Sequence, residues 1–245
     1  MLVVVSVLGA WQAGHWALGE AALVSPGAAL MRLAVLGGRA GFWMEAADTG
    51  WAFLVSAVIS VVGGAALGCV LGLSRVLGRV VEPVLGAFYA LPKVTLYPVV
   101  LLLFGLGGAA KVAFGVMHGL IPIGLVTMAA VLEVQPVLLR TGRAMRLGLG
   151  QMAMRIMLPA VLPEVLGGVR IGVPLALLGV LIGEMFASRR GLGSMAMRAM
   201  EGGDGATLLA VAVLLSGVAL GVNWGLGRVA RGFAGSVTGA GSGGR

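Results

Sequence analysis

Apolar runs too long for the interior of a small soluble domain divide this chain, and one stretch is the longest break between them. The segments near 2–18, 50–73, 111–131, 169–188 and 206–227 carry almost no charge. A hydrocarbon layer about 30 Å thick is crossed by ~20 apolar residues in a helix. Within that layer every backbone N–H and C=O must be satisfied internally, which leaves helices and closed barrels. No alternation of polar and apolar residues marks barrel strands, and the runs exceed the ~10 residues such strands use. Charged residues make up 11% of the 245, against about 25% in soluble domains. The expected fold is an all-α integral membrane protein of about six transmembrane helices, with the third span, near 91–104, kinked by Pro92 and Pro98.

The interruption is 133–170, which holds five of the seventeen basic residues: Arg140, Arg143, Arg146, Arg155 and Arg170. Pro136 can start a helix there, since its missing N–H is unneeded in a first turn. Arginines at 140, 143 and 146 fall on one flank of that helix, and Leu138, Leu139, Met145 and Leu147 supply apolar contacts. Pro159 and Pro163 are expected to end the run. Such a stretch between two spans either offers a short helix to something outside the membrane or is a charged loop that only sets topology.

Arg155-Ile156-Met157-Leu158-Pro159-Ala160-Val161-Leu162-Pro163 resembles the second half of the signature loop of bacterial ABC-importer permeases, E-A-A, three residues, G, nine residues, I-x-L-P. Counting back places the E-A-A slot at Arg140, Thr141 and Gly142 and the Gly slot at Arg146, so the first half departs from the pattern. Gly148 could take the Gly slot only through a two-residue shift. Further resemblance lies in Leu23-Val24-Ser25-Pro26, in Leu91-Pro92-Lys93 through Pro98 with Phe104-Gly105-Leu106-Gly107, and in Glu184 followed by Gly191-Leu192-Gly193. These match permeases of the nitrate, sulfonate and taurine type over about residues 8–233.

The resemblance implies a type I importer permease bundle. It divides the chain into a first span and external loop (1–49), a permease core (50–233) with a cytoplasmic coupling loop (133–168), and a disordered tail (234–245). The ATPase-coupling residues it implies are Arg140, Thr141, Gly142, Arg143, Ala144, Met145, Arg146, Leu147 and Gly148. The implied partners are a cytoplasmic ABC ATPase dimer, a second permease subunit of the same or a related chain, and a periplasmic solute-binding protein. The implied substrate is nitrate, taurine, an alkanesulfonate or a pyrimidine vitamin precursor. Two alternatives remain: a degenerate, structural half of a heterodimer, suggested by Arg140 and Arg146, and a passive channel or ion-coupled carrier.

Other residues narrow the reading. No G-x-x-x-x-G-K-[ST] loop, H-E-x-x-H, G-x-S-x-G or metal-spaced cluster occurs, so no enzyme activity, cofactor or metal is expected. The net charge of +8 is dispersed among spans, which speaks for membrane lipid as surroundings and against nucleic acid. Cys69 lies in an apolar run as a packing residue, and His15 is expected to anchor the first span at an interface. Gly64, Gly68 and Gly72 recur every four residues, as do Gly217, Gly221 and Gly225; such faces let helices approach closely, and for the first set packing within the bundle is expected.

The spans carry Lys93 and Glu184. Ten Val, Leu, Ile and Phe residues in 169–188 favour insertion by about 4 kcal/mol, against a cost of about 3 for a central carboxylate. Glu184 is expected to pair with Arg189 or Arg190. Lys93 either lines the translocation path and favours an anion or snorkels to the interface. Basic residues at 75, 79, 140, 143, 146, 155, 170, 228, 231 and 245 outnumber those at 32, 39, 111, 189, 190 and 198. The excess leads us to expect both termini in the cytoplasm, and the resemblance implies a bacterial inner-membrane protein.

Overall fold

A computed structural model describes residues 2–20 and 22–239. Every regular element among them is helical: α1 (Leu2–Leu18), α2 (Pro26–Gly37), α3 (Ala40–Gly72), α4 (Arg75–Ala90), α5 (Tyr97–Phe104), α6 (Gly108–Leu132), α7 (Pro136–Ala144), α8 (Leu149–Met152), α9 (Leu158–Ala187), α10 (Leu192–Glu201) and α11 (Gly205–Gly239). A 3-10 turn at Lys93–Leu96 precedes α5, and a π turn at Ala153–Met157 joins α8 to α9. The rest of the expected tail, 240–245, lies outside the described residues.

Four helices are long and apolar enough to cross a membrane: Ala40–Gly72, Gly108–Leu132, Gly150–Ala187 and Gly205–Gly232. Helices α4 and α5 together make a fifth candidate, bent by 90° at the break. Among the described residues these make four spans, or five with the bent pair, and α1 is the remaining apolar helix of the about six expected. Its 17 described residues rise about 26 Å at 1.5 Å each, at the short end of the range for a span. Its inner side is tied down by Trp11 Nε1, which donates to Val24 O at 2.9 Å, and by His15 Nδ1, 2.6 Å from Leu23 O. Ser25 caps α2 through its hydroxyl, with Pro26 in the first turn, which explains the Ser-Pro pair physically.

Helix α6 lies between α3 and α9 and packs along both. Their approach is set by missing side chains. A Cβ on Gly68 would sit 2.5 Å from Gly124 O and Thr127 Cβ; one on Gly64 would sit 2.7 Å from Leu120 O, and one on Gly72 2.6 Å from Val131 Cβ. The first glycine repeat therefore packs inside the bundle, as its spacing suggests. Across the other side of α6, Gly119 faces Ala176 and Gly183 faces the Lys111 backbone. The second repeat behaves differently, since nothing lies within 4 Å of where a Cβ would stand on Gly217, Gly221 or Gly225. Helix α11 packs on α2, α9 and α10. At its start the Thr207 hydroxyl and N–H, together with Arg32, hold the Asp204 carboxyl below the ordinary carboxylate range.

Pro159 and Pro163 do not end a helix, contrary to expectation. Residues 150–187 run on as one 38-residue helical segment, with Pro159 in the first turn of α9 and Pro163 inside it. The π turn just before Pro159 rearranges the hydrogen-bond ladder, with Leu158 N bonded to Ala153 O, so the chain passes the prolines without stopping.

Gly68→Leu is expected to force α3 off α6 and to destabilise by at least ~1–3 kcal/mol, the usual range for overpacking. Gly217→Ala, with open space around it, should be neutral. Thermal midpoints of the two variants in mild detergent, followed by size-exclusion chromatography, check the contrast.

Candidate functional site

The signature loop starts at Pro136, whose ring stands in the first turn of α7. Arg140, Thr141, Gly142, Arg143 and Ala144 lie on α7, and the helix ends at Ala144 with Met145 as its cap, so Met145, Arg146, Leu147 and Gly148 of the expected coupling residues lie beyond it. Its ending is defined by Arg146, at φ 53°, the one non-glycine residue with positive φ among the described residues. That conformation costs a Cβ-bearing residue about 1–2 kcal/mol. Arg146 is the position where counting back from Ile156 places the family's glycine. The register is therefore physically sensible, because a left-handed turn is where glycine is needed. Arg146 N–H donates to Arg143 O (2.9 Å) and Leu147 N–H to Gly142 O (3.1 Å), so the turn closes despite the substitution. Gly148 then opens α8, with its N–H 3.3 Å from Gln151 Oε1.

The two halves of the signature meet through Gly142. It is buried, and a Cβ there would stand 2.6 Å from both Ile156 Cδ1 and Met152 Sδ. Contact on that side leaves the other face of α7 and its turn open. Val137 and Met145 are 62% and 66% exposed, and Arg140, Arg143 and Arg146 stand beside them in solvent. The loop thus presents a mixed apolar and basic surface at one end of the bundle.

Lys93 sits in the elbow between α4 and α5. It is buried, its Nζ donates to Tyr89 O at 3.0 Å, and the ammonium lies 5.1 Å from the centre of the Tyr89 ring. It is not paired with Glu184, whose cation is Lys111.

At the opposite end lies a cluster that sequence reasoning assembled incorrectly. Glu184 is fully buried, and its partner is Lys111 at 3.2 Å rather than Arg189 or Arg190. Lys111 in turn contacts Asp48 Oδ2 at 3.0 Å. The Glu184 carboxylate also accepts from the Thr49 hydroxyl (2.8 Å) and from Gly193 N–H (2.9 Å). Each N–H of the Gly191-Leu192-Gly193 turn is used: Gly191 donates to Glu45, Leu192 to Thr49 Oγ1 at 2.8 Å, and Gly193 to Glu184. Gly191 has φ 114° and lies against the Glu184 carboxylate, where any Cβ would overlap it. The motif is thus a carboxylate wrapped by a glycine turn. Arg189 and Arg190 were poor partners because they follow Ala187, where the helix ends and the chain turns away. Depth was the available signal: a carboxylate near one end of an apolar span needs a cation at the same depth, and Lys111 opens the neighbouring span.

Beside this cluster is a hollow of about 710 Å³, bounded by Asp48, Gly107, Gly108, Lys111, Arg189 and Arg190.

Residues 60–234 match the family described as binding-protein-dependent transport system inner membrane component. The taurine transport system permease protein of Escherichia coli is 27% identical over 203 residues, 81% of this chain and 72% of the relative. The glycine betaine/proline betaine transport system permease protein of the same organism is 29% identical over 218 residues, and the match spans 85% of this chain but 59% of that longer protein. The formylaminopyrimidine transport permease protein of Halalkalibacterium halodurans is 30% identical over 66% of this chain and 65% of its own length. Among solved structures, an inward-facing MetNI methionine ABC transporter superposes with a TM-score of 0.68 over 83% of this chain and 97% of the matched one; at 22% identity the likeness is one of fold.

Lys111→Met is expected to strand Glu184 without its cation and to destabilise by about 3–5 kcal/mol, the range for breaking a buried pair from one side. Lys111→Met combined with Glu184→Gln should recover much of that loss. A double-mutant cycle on thermal unfolding measures the coupling, and additive effects would contradict the pairing.

Proposed function

Because this chain belongs to the binding-protein-dependent transport system inner membrane component family, matched over residues 60–234, we propose that it is the transmembrane permease subunit of an ATP-driven importer of a small solute. The observation that carries this reading is the signature loop. Gly142 seats α7 on Ile156 and Met152, and the opposite face of α7 offers arginines and two exposed apolar side chains to a partner. In this proposal the partner is a cytoplasmic ABC ATPase, and the loop end faces the cytoplasm. A second permease subunit completes the path, and an external binding protein delivers the solute to the end that holds Glu184. Closure of the ATPase pair on ATP would move α7. Because residues 150–187 form one continuous segment, that motion reaches Glu184 without a break in the chain. The catalytic chemistry belongs to the ATPase, and this chain supplies access.

The relatives name taurine, sulfonate, nitrate and betaine as solutes. Lys111 beside the hollow is already paired with Asp48 and Glu184, but Arg189 and Arg190 also bound the hollow, and this excess of cations over carboxylates supports a solute with an anionic group. Lys93 in the elbow is a further cation assigned to the path. Retention of the left-handed turn at Arg146 supports a working coupling loop over a purely structural half of a heterodimer.

Two measurements test the reading. In a Cys69→Ser background, a cysteine at position 143 should be labelled only from the cytoplasm, and a copurifying ATPase that carries a G-x-x-x-x-G-K-[ST] loop should protect it. Labelling from outside, or absence of any ATPase among the proteins that copurify in mild detergent, overturns the assignment. For the path, Lys93→Met should lower uptake of an anionic solute at least severalfold with folded protein retained. Uptake kinetics equal to wild type would remove Lys93 from the path.

A further inference from the structure

Arg170, on α9, reaches across to α11. Its Nη2 and Cζ lie 3.5 and 3.6 Å from the point where a Cβ would stand on Gly227, and Arg231 Nη1 lies 3.7 Å from the same point. The two guanidinium groups therefore converge over a residue with no side chain. At a separation of about 7 Å or less, two like charges repel in any dielectric. Among the described residues, no carboxylate lies within ion-pair distance of Arg170, Arg228 or Arg231. One turn earlier on α11, Arg228 Cζ stacks 3.9 Å from the centre of the Trp224 ring, which is 59% exposed.

The depth of this cluster is set by helix geometry. From Thr207, beside the Arg32–Asp204 ion pair, to Gly227 is twenty residues, or about 30 Å of rise. That is the thickness of a bilayer's hydrocarbon layer. The arginines therefore stand at headgroup level on the signature-loop side, with Trp224 at the interface where aromatic rings settle. Val169 and Val173 of α9 pack near Val222 and Leu226 of α11, which holds the two arginine-bearing faces together.

We propose that Arg170 and Arg231, over the niche at Gly227, form a binding site for the phosphate of an anionic phospholipid, with Arg228 and Trp224 extending the contact along the headgroup. A phosphodiester supplies the charge that the converging guanidiniums lack and accepts their planar N–H groups. The lipid thereby joins α9 to α11, an interface otherwise held by small aliphatic side chains. This inference stands apart from the transport reading, because it needs neither an ATPase nor a solute.

Native mass spectrometry of the full chain in mild detergent, titrated with phosphatidylglycerol or phosphatidylcholine, tests it. Phosphatidylglycerol should be retained at a concentration at least tenfold lower than phosphatidylcholine. Arg170→Gln with Arg231→Gln should abolish that preference, while Arg75→Gln, a solvent-facing control, keeps it. Equal retention of the two lipids by the wild type, or an unchanged preference in the double variant, overturns the site. If inorganic phosphate raises the thermal midpoint as much as phosphatidylglycerol does, the ligand is a soluble anion and the lipid assignment fails. Should the double variant not fold, Arg231→Gln alone, at an exposed helix position, is read by the same preference.

Discussion

A carboxylate in a lipid-crossing helix is tolerable only if donors surround it, and the arrangement around Glu184 is the constraint on which this bundle turns. Lys111 comes from α6, Thr49 from α3 and the Gly193 N–H from the start of α10, so a single side chain on α9 ties four helices at one level. Removing water from such a group is expensive unless every oxygen finds a partner, and here both do. The same need explains the glycine turn after α9. Backbone N–H groups can wrap a carboxylate only where no Cβ intervenes, and Gly191 sits against it.

Below that level the helices are held by closeness rather than by polarity. Lipid tails are as apolar as leucine, so no hydrophobic drive pulls spans together and contact area has to do so. Gly64, Gly68, Gly72, Gly119 and Gly183 bring the α3, α6 and α9 backbones within reach of one another. This leaves α6 buried along much of its length, while α11 touches the bundle on one side only. The unused repeat on α11 faces away from the rest of the bundle.

The signature loop follows a different logic, that of an exposed helix held by a small contact. Gly142 gives the seat and the left-handed turn at Arg146 gives the direction in which the chain leaves α7. An arginine in that turn carries local backbone strain that glycine would avoid. It also adds a third cation to a surface already holding Arg140 and Arg143, which in the proposed reading selects the partner by charge.

Much of this was legible in the residues themselves. Length of apolar runs dictates membrane helices, because backbone polar groups have no other refuge in lipid. The four-residue glycine repeat in 64–72 announced a close contact, and the spacing back from Ile156 located a glycine slot that proves to be a left-handed turn. What the chain order could not give was pairing and continuity. Glu184 lies five residues from Arg189 but takes its charge from Lys111, 73 positions away. Pro159 and Pro163 read as stops, yet a π turn carries the helix through them. Periodicity and burial are properties of one segment, and the sequence by itself determined those. Which cation faces which carboxylate, which glycine face is used, and where Arg170 meets Arg231 depend on the depth and rotation of separate helices, and only the tertiary structure decided them.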